Sequence, residues 1–241
     1  MARAVEPGAD SGWVLHRRRY RETSLIVEFL TREHGRVAAV ARGALRPKSP
    51  LAASLQPLVP LALVLRGRGE LLTLVRAEPL AAAPTLAGER LYCVFYLNEL
   101  VMRLTAHHDP NPPLLEVYEE ALAAIVDGAA LEQSLRRFEK RLLDALGFGL
   151  MLDAEADTDR PLAAEADYHY LVERGPVRCG PASAGVRVRG ATLRALAAEG
   201  ELAPAELREA KRLMRQVLDH HLDGRPLASR ALFEAQAAGK P

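Results

Sequence analysis

Cysteine and aromatic residues are scarce in this chain of 241 residues, which has two cysteines and 5% Phe, Trp and Tyr. Cys93 and Cys179 lie far apart, so they offer no disulfide framework and too few thiolates for a four-cysteine zinc site. Both are expected to be structural, Cys93 buried and Cys179 in a loop. So few aromatics argue against a surface dedicated to stacking bases. No uncharged run of eighteen apolar residues occurs, and MARAVEPGAD carries Glu6 and Asp10 where a secretion signal needs apolar residues. A soluble, cytoplasmic protein is expected. Signatures of catalysis are also missing: there is no GxxxxGK[ST], GxGxxG after a strand, HExxH, GxSxG or CxxC.

What is present is a full apolar complement, 49% of residues, and a charge that is neutral only in sum. Residues 1–80 hold 13 Lys and Arg against 7 Asp and Glu, giving +6; residues 81–241 hold 19 against 24, giving −5. A positive N-terminal part facing a polyanion is the natural reading of that split. The stretch from Gly12 to Lys48 concentrates it, interleaving strand formers with Arg17, Arg18, Arg19, Arg21, Arg36, Arg42, Arg46 and Lys48.

Residues 1–11 read as a loose tail. Strands are expected at Trp13–Arg18, Leu25–Thr31, Arg36–Ala41, Leu58–Arg66 and Glu70–Glu78, with a long basic loop over Gly43–Leu55 and a tight turn at Gly67 and Gly69. Five short antiparallel strands with a long third-to-fourth connection match a Greek-key barrel of the OB type, an SH3-like barrel being the alternative. After Pro79 the apolar period changes from two to about 3.6. Helices are expected at Leu91–Leu104, Leu114–Val126, Leu131–Leu146, Gly190–Glu199 and Pro204–Leu222, with a short segment at Pro226–Gln236. Met151–Arg189 reads as an irregular insert with two short strands. The expected class is therefore α+β, with a barrel over residues 1–80 and a helical domain over 81–241.

His107–His108 and His220–His221 are adjacent pairs that cannot by themselves direct two imidazoles at one ion. Asp153, Glu155, Asp157 and Asp159 alternate, but the glycine and terminal glutamate of an EF-hand loop are missing, so a solvated acidic loop is expected. Basic residues carry the stronger signal. Arg17, Arg19, Arg36, Arg42, Arg46 and Lys48, with Arg66 and Arg68 in the hairpin, are the expected phosphate contacts. Arg136, Arg137, Lys140 and Arg141, and Arg208, Lys211, Arg212 and Arg215, recur at helical spacing, either in ion pairs or in binding.

The chain resembles the RecO family of bacterial recombinational repair proteins. The resemblance rests on WVLHRRRYRETSLIVEFLTREHGRVAAVARGAL, LQPLVPLALVLRGRGELLTLVRAE, LYCVFYLNELVMRL, LRRFEKRLLDALGFGL and AKRLMRQVLDHHLDGRPLASRALF, in that order, and covers about Gly12–Phe233. It implies an OB fold followed by helices, binding of single- and double-stranded DNA, annealing of complementary strands, and association with RecR. It also implies a role in loading RecA onto DNA covered by single-strand-binding protein, whose acidic C-terminal tail the helical domain would recognise. Carried over by motif, Arg136, Arg208 and Arg212 would meet the tail's carboxylates, and Leu142 and Leu213 would line the pocket for its aromatic end. Many members carry a four-cysteine zinc site in the insert; only Cys179 falls there, so neither zinc nor any other cofactor is expected. Activity would be non-enzymatic. A protein-interaction adaptor with only incidental DNA contact is the alternative.

Overall fold

Alternating apolar residues build five N-terminal strands: β1 (Asp10–Tyr20), β2 (Ser24–Thr31), β3 (Gly35–Ala41), β4 (Pro60–Arg66) and β5 (Leu71–Pro79). The structure, a computed structural model, describes residues 9–180 and 185–238. Of the expected N-terminal tail, residues 1–8 lie outside the described residues, while Asp10 and Ser11 already belong to β1. The strands close into a barrel in the order β1-β2-β3-β5-β4, with β4 returning to β1. All neighbours run antiparallel except β3 and β5, which are parallel. A closed ring of five strands cannot alternate direction throughout, so a uniformly antiparallel barrel was geometrically impossible. This order is that of an OB-type barrel.

Val14, Val27, Phe29, Val37, Leu61 and Leu63 fill the barrel interior without exposure. Ile26, Leu30 and Ala38, at the alternate positions, are buried as well. Burial on both faces explains why LIVEFL reads as a nearly continuous apolar run. The expected long basic loop is shorter than its sequence implies. It folds into α1 (Pro50–Ser54) with Pro50 in the first turn, and Leu55 is fully buried.

β1 bulges at Leu15, where the register with β2 shifts between Val14 and His16. Bulged residues lose their ladder partner. Here the Leu15 carbonyl accepts a 2.9 Å hydrogen bond from buried Asn98 Nδ2 on α2 (Gly88–Leu104), fixing that helix to the barrel. Gly35, at φ +65°, turns β2 into β3 against the segment after α2; a Cβ there would lie 2.1 Å from the Asp109 carbonyl oxygen.

The chain forms two compact units, one of residues up to Glu116 together with Leu227 onward, the other Val117–Pro226. In the first, α7 (Ala228–Ala238) packs on α2. Its start is capped by the Glu99 carboxylate, which accepts from the backbone N–H of Ala228 and Ser229 and from the Ser229 hydroxyl. Burial raises the Glu99 pKa, but those Ser229 and Ala228 donors, with Arg103, bring it below its ordinary value overall.

The second unit holds most of α3 (Pro112–Val126), then α4 (Leu131–Ala145), α5 (Gly190–Ala197) and α6 (Pro204–His221). Phe138, Leu142, Leu193, Leu213 and Met214 are among its buried side chains. The insert has three strands rather than two: β6 (Asp167–Leu171), β7 (Gly175–Arg178) and β8 (Val186–Arg189), in the order β7-β6-β8. β8 reads VRVR; such a short alternation is ambiguous until a neighbour supplies its hydrogen bonds.

Replacing Asn98 by Ala leaves the Leu15 carbonyl buried without this donor. A loss of about 1–3 kcal/mol is expected, measured by urea unfolding against the unchanged chain.

Candidate nucleic-acid interface

Three barrel connections, residues 21–23, 42–49 and 67–70, carry Arg21, Arg42, Arg46, Lys48 and Arg68. An open cleft of about 830 Å³ is lined by Tyr20 and Arg21 from the first, Arg42 and Arg46 from the second, and Leu72 and Thr73 of β5. Arg19 pairs in register with Leu25, one step before the Tyr20–Ser24 pair at the rim, and Arg66 pairs with Thr73. Arg19, Arg42, Arg46, Lys48, Arg66 and Arg68 are all exposed. Among the described residues none of these six has an ion-pair partner. Glu22 is the only acid in the lining. A concave surface with unneutralised guanidinium and ammonium groups attracts a polyanion, and water-exposed Arg adapts to a backbone more readily than to one base. Arg21, not among the expected contacts, also lines the cleft; its guanidinium lies 5.2 Å from the Tyr20 ring centroid, and its φ of 53° reflects the tight turn.

Two expected contacts have other partners. Arg36 turns inward, its side chain 13% exposed. It donates to the Thr105 carbonyl at 2.8 Å and lies 3.6 Å from Glu28, which also meets His107 Nε2 at 2.9 Å. Burial lowers the Arg36 pKa, with Glu28 opposing. It is a structural tie rather than an open phosphate ligand. Arg17 is exposed yet donates through Nη1 to the Leu55 carbonyl at 3.1 Å, holding the end of α1.

The residues expected to grip a peptide tail stand in different settings. Arg136 is 6% exposed and paired at 2.5 Å with Glu139, itself buried. Leu142 and Leu213 are 0% and 1% exposed and belong to the core. Arg208 and Arg212 lie on the exposed side of α6. The cause is helical phase: in LRRFEKRLL, Arg136 falls on the same side as buried Glu139 and Leu143, at i+3 and i+7, while its neighbour Arg137 falls on an exposed side. The α3–α4 groove is instead about 250 Å³, walled by Val117, Ala121, Ala124 and Phe138, with Arg137 and Arg141 on its rim. Arg137 donates to the Glu199 carbonyl, and Arg141 pairs with Glu120. Small alanines open this groove, a signal legible in VYEEALAAIV only once α4 is placed beside it.

Of the alternating acids in the insert, Asp153 and Asp159 are exposed as expected, while Glu155 and Asp157 are held by protein donors. Buried Glu155 accepts from Thr158 at 2.6 Å, Arg178 at 2.8 Å and Tyr168 at 3.1 Å, and Asp157 pairs with Arg174. Donors from Thr158 and Arg178, in that order, bring the Glu155 pKa down to about 2. Among the described residues no cluster of three His, Cys, Asp or Glu side chains suits a metal ion.

Strand order and cleft define an OB-type barrel protein joined to a helical unit. Residues 8–83 match the family described as Recombination protein O N terminal, and 86–231 match Recombination protein O C terminal. The chain is 48% identical over 223 residues to the DNA repair protein RecO of Nitrosococcus oceani, covering 92% of this chain and 91% of that one. It is 44% identical over 228 residues to that of Methylococcus capsulatus, covering 95% and 93%. The chain belongs to the RecO family of DNA repair proteins.

The Glu155 hub predicts an acid response. A carboxylate whose folded pKa is depressed from 4.5 to about 2 stabilises the fold above its unfolded value, and that contribution disappears as pH falls through the folded one. Amide protection in the insert, taken as the exchange rate relative to the intrinsic rate at each pH, is expected to fall as pH drops between those two values. Glu155→Gln is expected to exchange faster at neutral pH and to lack this added acid dependence.

Proposed function

We propose that this chain is a recombination mediator that binds single- and double-stranded DNA through backbone phosphates, anneals complementary strands, and helps load RecA together with RecR. The supporting observation is the barrel cleft lined by Arg42 and Arg46, together with exposed Arg19, Lys48, Arg66 and Arg68 on the same barrel, none of which has an acidic partner among the described residues. Such a grip needs several adaptable cations and no reacting group, so the mechanism is binding and release without turnover. It works without a cofactor, in the cytoplasm at the nucleoid. The proposed division of labour assigns DNA to residues 1–80 and partner recognition to 81–241.

In this reading the acidic tail of single-strand-binding protein enters the α3–α4 groove, its apolar end against Val117, Ala121 and Phe138 and its carboxylates toward Arg137 and Arg141. Those arginines already have acceptors, so the tail would exchange with Glu120 and the Glu199 carbonyl. This groove also keeps the adaptor reading in play, in which partner binding is primary and DNA contact incidental.

Reversing Arg42, Arg46 and Lys48 to Glu separates the readings. Affinity for a labelled single strand is expected to fall, with its log–log salt slope shallower by about 0.7 for each phosphate that is no longer neutralised. Binding of a tail peptide is expected to persist in that variant and to weaken in Arg137→Glu. Unchanged strand affinity and annealing after the triple reversal would decide for the adaptor.

A further inference from the structure

α6 carries an exposed row of cations that the barrel reading does not use. Arg208, Arg212 and Arg215 stand at i, i+4 and i+7, and at roughly 100° per residue they fall within about 60° of one another. All three are exposed, and among the described residues none has a side-chain partner. Neighbouring cations of the same unit are neutralised: Lys140 by Asp144 and Glu199, Lys211 by Glu132, Arg189 by Glu209. Glu206 and Glu209 of α6 itself are engaged by the Ala203 N–H and by Thr192 with the Arg189 N–H. Asp219, one turn beyond Arg215, has its own interactions. Acids are thus available nearby but directed elsewhere.

Like charges at i+3 and i+4 destabilise a helix, and the row contains Arg208–Arg212 and Arg212–Arg215 pairs. A helix selected for stability alone would intersperse acids along that face. We propose that this face of α6 is a second phosphate-binding surface, which takes the sugar–phosphate backbone of a nucleic-acid strand other than the one in the barrel cleft. From Arg208 to Arg215 the row spans about 10 Å, roughly three phosphates at ~3.4 Å along one strand of a duplex. The neighbouring apolar residues Leu213 and Met214 are buried, so the row offers charge without a pocket. Charge without a pocket suits a repeating backbone and not a peptide with an apolar end. The proposal rests on the annealing activity proposed above and deepens it: two backbone grips on one chain hold two strands at raised local concentration.

The test compares the full chain, the Arg208→Ala/Arg212→Ala/Arg215→Ala variant and the Arg42→Ala/Arg46→Ala/Lys48→Ala variant. The α6 variant is expected to melt no lower than the full chain, because it removes like-charge repulsion. Titrated with a labelled oligonucleotide, it is expected to bind one strand where the full chain binds two, and to anneal complementary strands about tenfold more slowly. The summed salt slope is expected to shrink by about two units, from ~0.7 for each of three phosphates. Unchanged stoichiometry and annealing in a folded α6 variant overturn the second surface and leave the barrel reading intact. Loss of tail-peptide binding with strand binding retained overturns it in favour of an acidic peptide. An inert barrel variant beside a deficient α6 variant supports the α6 surface and overturns the barrel reading instead.

Discussion

The carbonyl of Leu15 has to find a donor outside the sheet, and Asn98 provides it. β1 is the strand that meets both β2 and β4, so the barrel closes through it. Its bulge lets β1 bend between those partners, at the expense of one ladder position. Buried in an apolar setting, an unsatisfied carbonyl would weigh against closure, so barrel and α2 form together. From α2 the dependence continues, since Glu99 on the same helix caps α7. Beyond its end, Arg36 reaches back from β3 to the Thr105 carbonyl. Barrel, first long helix and final helix are tied into one unit by these polar contacts.

Arginine serves three purposes here, separated by environment and not by local sequence. Arg36 and Arg136 are enclosed with Glu28 and Glu139, where removing one partner leaves an uncompensated charge. Arg17 and Arg137 remain exposed while donating to backbone carbonyls. Arg42, Arg46, Arg66 and Arg68, with Arg208, Arg212 and Arg215, are left without acids among the described residues. Only the last group retains a field that reaches into solvent, because an ion pair cancels most of the potential of its members. With 5% aromatic residues, contacts from these groups favour phosphates over bases.

Barrel strands, the change of period after Pro79 and the helices were legible because period-two and period-3.6 burial leave strong patterns over five or more residues. The third insert strand was not, since VRVR acquires meaning only beside β6. α1 was hidden by its prolines, which signal a loop but also suit a first helical turn. Exposed Arg42, Arg46 and Lys48 could be placed from loop chemistry alone. Arg36 and Arg136 could not: nothing in HGRVAAV or LRRFE says that Glu28 and Thr105, or Glu139, wait within reach.

Composition and periodicity by themselves determined a basic barrel ahead of a helical half, without the thiols for a four-cysteine zinc site, because burial and charge follow residue identity at short range. Tertiary structure alone decided which cations remain free, where the α3–α4 groove opens, and how Glu155 holds the insert through Thr158, Tyr168 and Arg178. Each of these depends on groups distant in sequence meeting at hydrogen-bond distance, and a linear pattern carries no record of such meetings.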